Sequence, residues 1–263
     1  DSSKGERFDV TVVLDGAGSS IAENYAGIVR SNQVVVFGDD AIAAATGFQV
    51  ECLSQEDEIA KPIESIFTAA RRSMPLEVLR RSYRTSGQAL GEYINSEFYQ
   101  DRIIFEPTTA SYFGNRNVKL QQVSAPNSDQ PESLDQELEA VLQLILSHAQ
   151  SNPQDSLLVA TASPKHARRL EQGLIAARKV RADLDPFFEA HGRERFEITT
   201  IQELAHRVSD RIIFSLGFGK DQLGQAPKVL GQLSSRHAKR YLANLLVSAR
   251  KFITVVSLSL IHI

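Results

Sequence analysis

The chain has 263 residues, 42% of them hydrophobic and 23% charged, with a formal net charge of −3. That leaves room for one large domain or two small ones around a real core, and excludes disorder as the main state. A single cysteine, Cys52, excludes an internal disulfide framework. No apolar run approaches the roughly 18 to 20 residues of a spanning helix, and no secretory signal opens the chain. A soluble protein of a reducing compartment, the cytoplasm, is expected.

Charge is spread unevenly. Residues 1–70 hold 12 acidic side chains against 4 basic ones, whereas 201–263 hold 9 basic against 3 acidic, among them Arg207, Arg211, Arg236, Lys239, Arg240 and Arg250. Such asymmetry fits a polyanion-binding half, although a solvated helix face produces it more often.

In chain order, Phe8–Leu14 (FDVTVVL) predicts a buried strand stopping at Asp15-Gly16, and Ser19–Arg30 has helical spacing. Gln33–Phe37 predicts a second buried strand, closed by Gly38-Asp39-Asp40. Strand, helix, strand over about 30 residues predicts a βαβ unit with a parallel sheet, whose ligands sit beyond the carboxyl ends of the strands. Lys61–Arg72 and Pro75–Tyr99 read as helical, the latter broken near Arg84–Gly87. The polar, proline-bearing stretch 124–133 is a linker-like loop. Ser133 and Gln136 fit a capping box opening an amphipathic helix that Asn152-Pro153 ends. Ser156–Thr161 predicts a strand, and Ser163-Pro164 a helix start running to about Val180. Further strands are expected at Phe196–Thr200, Arg211–Leu216 and Phe252–Ser257, with a helix over Arg236–Val247.

Generic motifs are mostly missing: there is no GxxxxGK[ST] phosphate loop, CxxC pair, HExxH, GxSxG or calcium loop, and the six histidines have no metal-ligand spacing. Five segments taken in order nevertheless resemble superfamily 1 helicases, close to the branch that includes the nonsense-mediated-decay RNA helicase. FDVTVVLDGAGSS resembles the Walker B segment, and VVVFGDDAIAAATGF the motif that follows it. Leu79–Ile103 resembles the segment opening the second RecA-like domain, with its Tyr-Arg pair at Tyr83-Arg84. IIFSLGFGKDQLG and LANLLVSARKFITVVS resemble the last two motifs, ending on Arg250.

The resemblance implies an α/β P-loop NTPase fold of RecA-like parallel sheets flanked by helices: the C-terminal part of a first domain over 1–70 and a second domain over 75–263. It implies a piece of an ATP-dependent helicase or translocase that works with ATP and Mg²⁺ on a single-stranded nucleic acid, DNA ahead of RNA. Asp15 would hold the metal, and Gly38 and Asp39 would sense the nucleotide. Arg84 and Arg250 would neutralise the transferring phosphate, a role suited to the permanently charged planar fork of arginine. Thr46, Ser163, Thr200 and Arg207 fall where nucleic acid is contacted.

The chain also departs from the family pattern. Gly16 stands where the Walker B glutamate orients water, Ile42 where a glutamine meets the γ-phosphate, and Ala205–Val208 where the fifth motif reads Gln-Gly-x-Glu. These departures keep open a catalytically degenerate module that binds nucleic acid or a protein without hydrolysis. With the phosphate loop missing, this chain alone is expected not to hydrolyse ATP. Leu258–Ile263 resembles the translation of a sequencing-library adapter, so the natural chain is expected to continue differently after Ser257.

Overall fold

The computed structural model describes residues 7–42, 64–82, 87–105, 117–189, 195–204, 207–235 and 237–258. It divides into two compact units, residues 1–79 and 80–263.

In unit 1, β1 (Phe8–Val13) and β2 (Ser31–Val36) pair in parallel, joined by α1 (Ile21–Ile28) and followed by α2 (Ile66–Ser73). The predicted βαβ unit is present. A capping box that the sequence reading passed over starts α1: Ser20 Oγ accepts from Glu23 N, and Glu23 Oε2 accepts from Ser20 N at 2.6 Å. That carboxylate, held by the Ser20 backbone N–H and hydroxyl, lies below its ordinary value.

The two strands are not buried as expected. Alternate side chains of a strand face opposite sides. α1 lies against the Thr11 side, where Thr11 Oγ1 donates to Gly27 O at 3.2 Å. Phe8, Val10 and Val12 point the other way and are 44%, 46% and 51% exposed. The β-branched run fixes the strand, but burial depends on what covers each face.

Unit 2 is a five-stranded all-parallel sheet in the order β5-β9-β8-β6-β7. Its strands are β5 (Val118–Val123), β6 (Leu157–Thr161), β7 (Phe196–Thr200), β8 (Ser209–Ser215) and β9 (Ala249–Leu258). Helices cover both faces: α3 (Gln88–Ile94) and α7 (Ala238–Ser248) on one, α4 (Asp135–Ser151), α5 (Pro164–Val180) and α6 (Asp185–Glu189) on the other. The alternation is legible in the core. Leu158, Ala160, Ile212, Phe214 and Ile253 pack with Leu90, Ile94 and Leu245. Leu157, Val159, Ile213 and Val256 pack with Val141, Ile145, Leu170, Leu174 and Phe187. An α/β chain with a parallel sheet flanked by helices, consistent with a RecA-like domain, is therefore present.

Three local expectations are corrected. Residues 75–80 are not helical, and 81–82 form a short strand, β3, parallel to β4 (Ile104–Phe105); helix begins only at Gln88 and widens into a π-helical turn over Asn95–Tyr99. Pro75 removes one backbone donor, and no regular element forms over 75–80. Strand β5 was not expected at all, because Val118–Val123 (VKLQQV) mixes lysine and glutamine into a run that pairs only at the sheet edge. Finally, Ser133 does not cap α4: the N-cap is Leu134, with no side-chain cap. Ser133 sits at φ 62° with its hydroxyl on His166 Nδ1 at 2.8 Å, so a tertiary partner outcompetes the local box.

The loop 124–133 lies within unit 2, tied to the segment after β8 by Gly219 N donating to Pro131 O at 2.6 Å and Ser128 N to Lys220 O at 3.1 Å. No described helix is long and apolar enough to cross a membrane.

Candidate functional site

In unit 1, Asp15 and the Gly38-Asp39 pair stand just past the carboxyl ends of neighbouring strands, brought together by the β1–β2 register of Val13 with Val36. Gly16 N donates to Phe37 O at 2.7 Å and Phe37 N to Val13 O at 2.8 Å, closing the two turns on each other. Asp15 Oδ1 receives Gly18 N at 3.3 Å, and Ala41 N donates to Asp39 Oδ1 at 3.0 Å. Both carboxylates thus shape their own turns, as aspartates do. The next residue, Asp40, pairs with Arg71 at 2.5 Å.

The glycines here are packing requirements. A Cβ on Gly38 would lie 2.6 Å from the Phe67 ring and 2.9 Å from Ala17 N. A Cβ on Gly16 would collide with Val36 Cγ1 and lie 3.0 Å from Phe37 O. Position 16 therefore has no space for a longer side chain as packed. Thr46 lies outside the described residues.

A half-buried carboxylate at a strand end fits Mg²⁺ as a single protein ligand, since Mg²⁺ keeps most of its waters and takes only one or two carboxylates. Asp15 meets that requirement. Among the described residues no group of three or more His, Cys, Asp or Glu side chains could hold a metal ion by itself.

In unit 2, Ser163 and Thr200 lie together at the carboxyl rim, where Thr161 of β6 is level with Thr200 of β7 and Ser215 of β8. Both are buried. Ser163 Oγ donates to Glu132 Oε1 and accepts from His166 N at 3.4 Å as the N-cap of α5, so its hydroxyl is committed inside the fold.

Beneath this rim runs a buried polar chain that sequence reasoning missed. His166, fully buried, bridges Ser133 Oγ at 2.8 Å and Ser215 Oγ at 2.9 Å, and Ser215 Oγ donates to Glu137 Oε1 at 2.6 Å. Gly217 N also donates to that oxygen, at 2.9 Å. Because Ser215 gives its only proton to Glu137, it accepts from Nε2–H of His166, and Nδ1 accepts from Ser133. Burial pushes the imidazole down to about 4, with the Arg169 guanidinium acting the same way. Burial pushes Glu137 up, against hydrogen bonds from Ser215 and Gly217, and its Oε2 has no hydrogen-bond partner. No local signal marks this chain, whose contacts span 33, 49 and 78 residues. The one hint is Gly217, at φ 72°, where a Cβ would lie 2.8 Å from His166 Cγ.

Arg207 and Arg250 lie at the opposite, amino rim. Arg207 precedes β8 and pairs with Glu197 near the start of β7. Arg250 is the exposed second residue of β9. Beside it Lys251 Nζ lies 2.5 Å from Asp155 Oδ1 and 3.5 Å from Asp210 Oδ1, and Arg211 Nε donates to Asp155 Oδ2 at 2.9 Å. Burial pushes the Asp155 carboxyl up, but the hydrogen bonds and charges of Lys251 and Arg211 outweigh it and leave the group below its ordinary value. The structure thus groups Ser163 with Thr200, and Arg250 with Arg207, on opposite ends of one sheet. Arg84, Tyr83, Ala205 and His206 lie outside the described residues.

No protein-family model matches the chain, and no curated protein matches it. Among solved structures, the chain is similar to one described as the C-terminal domain of a possible DNA helicase from Lactobacillus plantarum WCFS1, at 12% identity and a TM-score of 0.37. The match covers 67% of this chain and 88% of that one. A TM-score of this size does not establish a common fold.

Proposed function

We propose that the chain is part of an ATP-dependent nucleic-acid helicase or translocase, in which hydrolysis drives movement along a single strand. The observation that carries this reading is positional. The motif-like residues that are described fall at the ends of parallel strands, Asp15 and Gly38-Asp39 at carboxyl ends in unit 1 and Arg250 at an amino end in unit 2. In this reading Asp15 holds Mg²⁺, Gly38 and Asp39 sense the nucleotide, and Arg250 with Arg84 neutralises charge on the transferring phosphate. The carboxyl rim carrying Ser163 and Thr200 faces the strand, and Thr46 belongs to the same contact set. Bound ATP with Mg²⁺ supplies the phosphoryl group, and the protein's part is positioning and charge.

A second reading is favoured by one specific observation. Position 16 has no room for a side chain, so the water-orienting glutamate is excluded by packing. A helicase-like module that binds a strand or a partner without hydrolysis meets that constraint directly.

ATP turnover by the intact parent protein, with and without single-stranded DNA, separates the two. Strand-stimulated turnover supports the motor. Oligonucleotide binding without turnover overturns it in favour of the module. The 263-residue chain by itself is expected to show no turnover, and measurable hydrolysis by it would contradict that expectation.

A further inference from the structure

The entry of β9 is irregular. Ser209 of β8 is level with Ala249, and Arg211 with Phe252, so Asp210 alone stands opposite both Arg250 and Lys251. One extra residue of β9 is thus accommodated between two paired positions of a parallel ladder, a bulge-like shift that interrupts the regular pairing at the start of the strand. Bulged backbone has lost part of its ladder and needs another constraint to hold one arrangement. Here the constraint is ionic: Lys251 Nζ reaches Asp155 at 2.5 Å and Asp210 at 3.5 Å.

Both carboxylates are themselves anchored. Asp155 Oδ2 takes Arg211 Nε at 2.9 Å, and Arg211 Nη2 donates to Asn152 Oδ1 at 3.1 Å. Asp210 Oδ2 takes Ser156 N at 3.0 Å and Ser156 Oγ at 3.2 Å. The two carboxylates are mostly buried, at 18% and 19% side-chain exposure, whereas Lys251 is 54% exposed. The pin is therefore a half-exposed cation docked on two anchored carboxylates, a pairing that adds little stability but holds one local arrangement.

We propose that Lys251 and Asp155 are positioning residues for Arg250: their ion pair fixes the bulge at the start of β9 and so fixes where the neighbouring arginine is presented. The inference rests on the reading of Arg250 as the phosphate-neutralising arginine. It adds two residues that touch neither nucleotide nor strand.

The test compares Lys251→Met, Lys251→Arg, Asp155→Asn, Arg250→Ala and the Arg250→Ala/Lys251→Met double variant in the intact parent, at saturating single-stranded DNA. Misplacing a catalytic group by about 1 Å can cost on the order of a hundredfold. Lys251→Met and Asp155→Asn should lower kcat roughly ten- to a hundredfold with KM for ATP little changed, and Lys251→Arg should retain most of the rate. The double variant should be no slower than Arg250→Ala, because the pin acts only through that arginine. Normal kcat in Lys251→Met, or a multiplicative loss in the double variant, overturns the proposal. If Arg250→Ala itself leaves turnover intact, the reading of Arg250 fails; if it abolishes turnover while Lys251→Met does not, only the positioning role fails.

Hydrogen exchange on the 263-residue chain gives a readout independent of activity. Exchange at Ala249–Phe252 should quicken about two- to fivefold in Lys251→Met while the centre of the sheet is unchanged. Unchanged exchange there overturns the pin.

Discussion

His166 shows how far a residue's role can lie from its neighbours in sequence. It is a fully buried histidine clamped between two serine hydroxyls, and burial holds it near 4. Between pH 6.5 and about 4 the unfolded chain takes up a proton there that the folded protein refuses. Its contribution to stability is therefore complete above pH 6.5 and is lost as pH falls through that window. Glu137 runs the other way: its raised value means a contribution present in acid and lost as pH rises past its folded value. Replacing His166 with Gln removes the first effect and leaves the second. The acid-side loss of unfolding free energy in unit 2, followed by urea titration at several pH values, should shrink by roughly 2–4 kcal/mol across the window. An unchanged pH slope would contradict the buried neutral imidazole.

Gly16 makes the complementary point. The sequence shows only a glycine where the helicases it resembles carry a glutamate; the packing of Val36 and the Phe37 carbonyl against the Cα leaves no room for one. Gly16→Glu should therefore lower the melting temperature and restore no hydrolysis, with an overpacking cost of about 1–3 kcal/mol. Thermal unfolding of the variant checks the first part and ATP turnover of the parent the second. A stable variant with raised turnover would contradict the geometry.

At the scale of elements, legibility followed how local the determinants are. The helix α5 is readable because its cap, its first-turn proline and its basic last turn all sit in one stretch, and Ser163, Pro164, Arg178 and Lys179 occupy those places. Strands β6 and β8 are readable because both their faces are covered and each carries an unbroken apolar stretch, Leu157–Ala160 and Ile212–Phe214. Strand β5 is not, since an edge strand needs no such run, and Ser133 misleads because its hydroxyl answers to His166 rather than to its own helix. Ser163→Ala removes both a cap and the donor to Glu132, so it should destabilise unit 2 by about 1–2 kcal/mol. Denaturant unfolding measures this, and a loss of strand affinity without loss of stability would show that the hydroxyl is not committed inside the fold.

At the scale of the whole molecule, the order of motif-like segments, strand by strand, carries information that no single segment holds. The α/β class and the parallel sheet were legible from alternating runs of strand and helix. The division of unit 2 into a carboxyl rim with Ser163 and Thr200 and an amino rim with Arg207 and Arg250 was not, because strand direction relative to a residue decides it. Arg207 illustrates this: the resemblance groups it with Ser163 and Thr200, whereas the sheet places it on the other rim, paired with Glu197.

Arg250 is the residue on which the account as a whole turns, and its chemistry can be separated from mere charge. The decisive measurement is strand-stimulated ATP turnover by the intact parent protein, as wild type and as Arg250→Lys. A lysine keeps the charge but loses the planar two-pronged donor, and an arginine in this role is worth about 10³–10⁵ in rate. The account predicts stimulated turnover in the wild type and a fall of at least about a hundredfold in the variant, with strand binding preserved. Equal turnover in the two proteins, or none in the wild type under any condition, would contradict it.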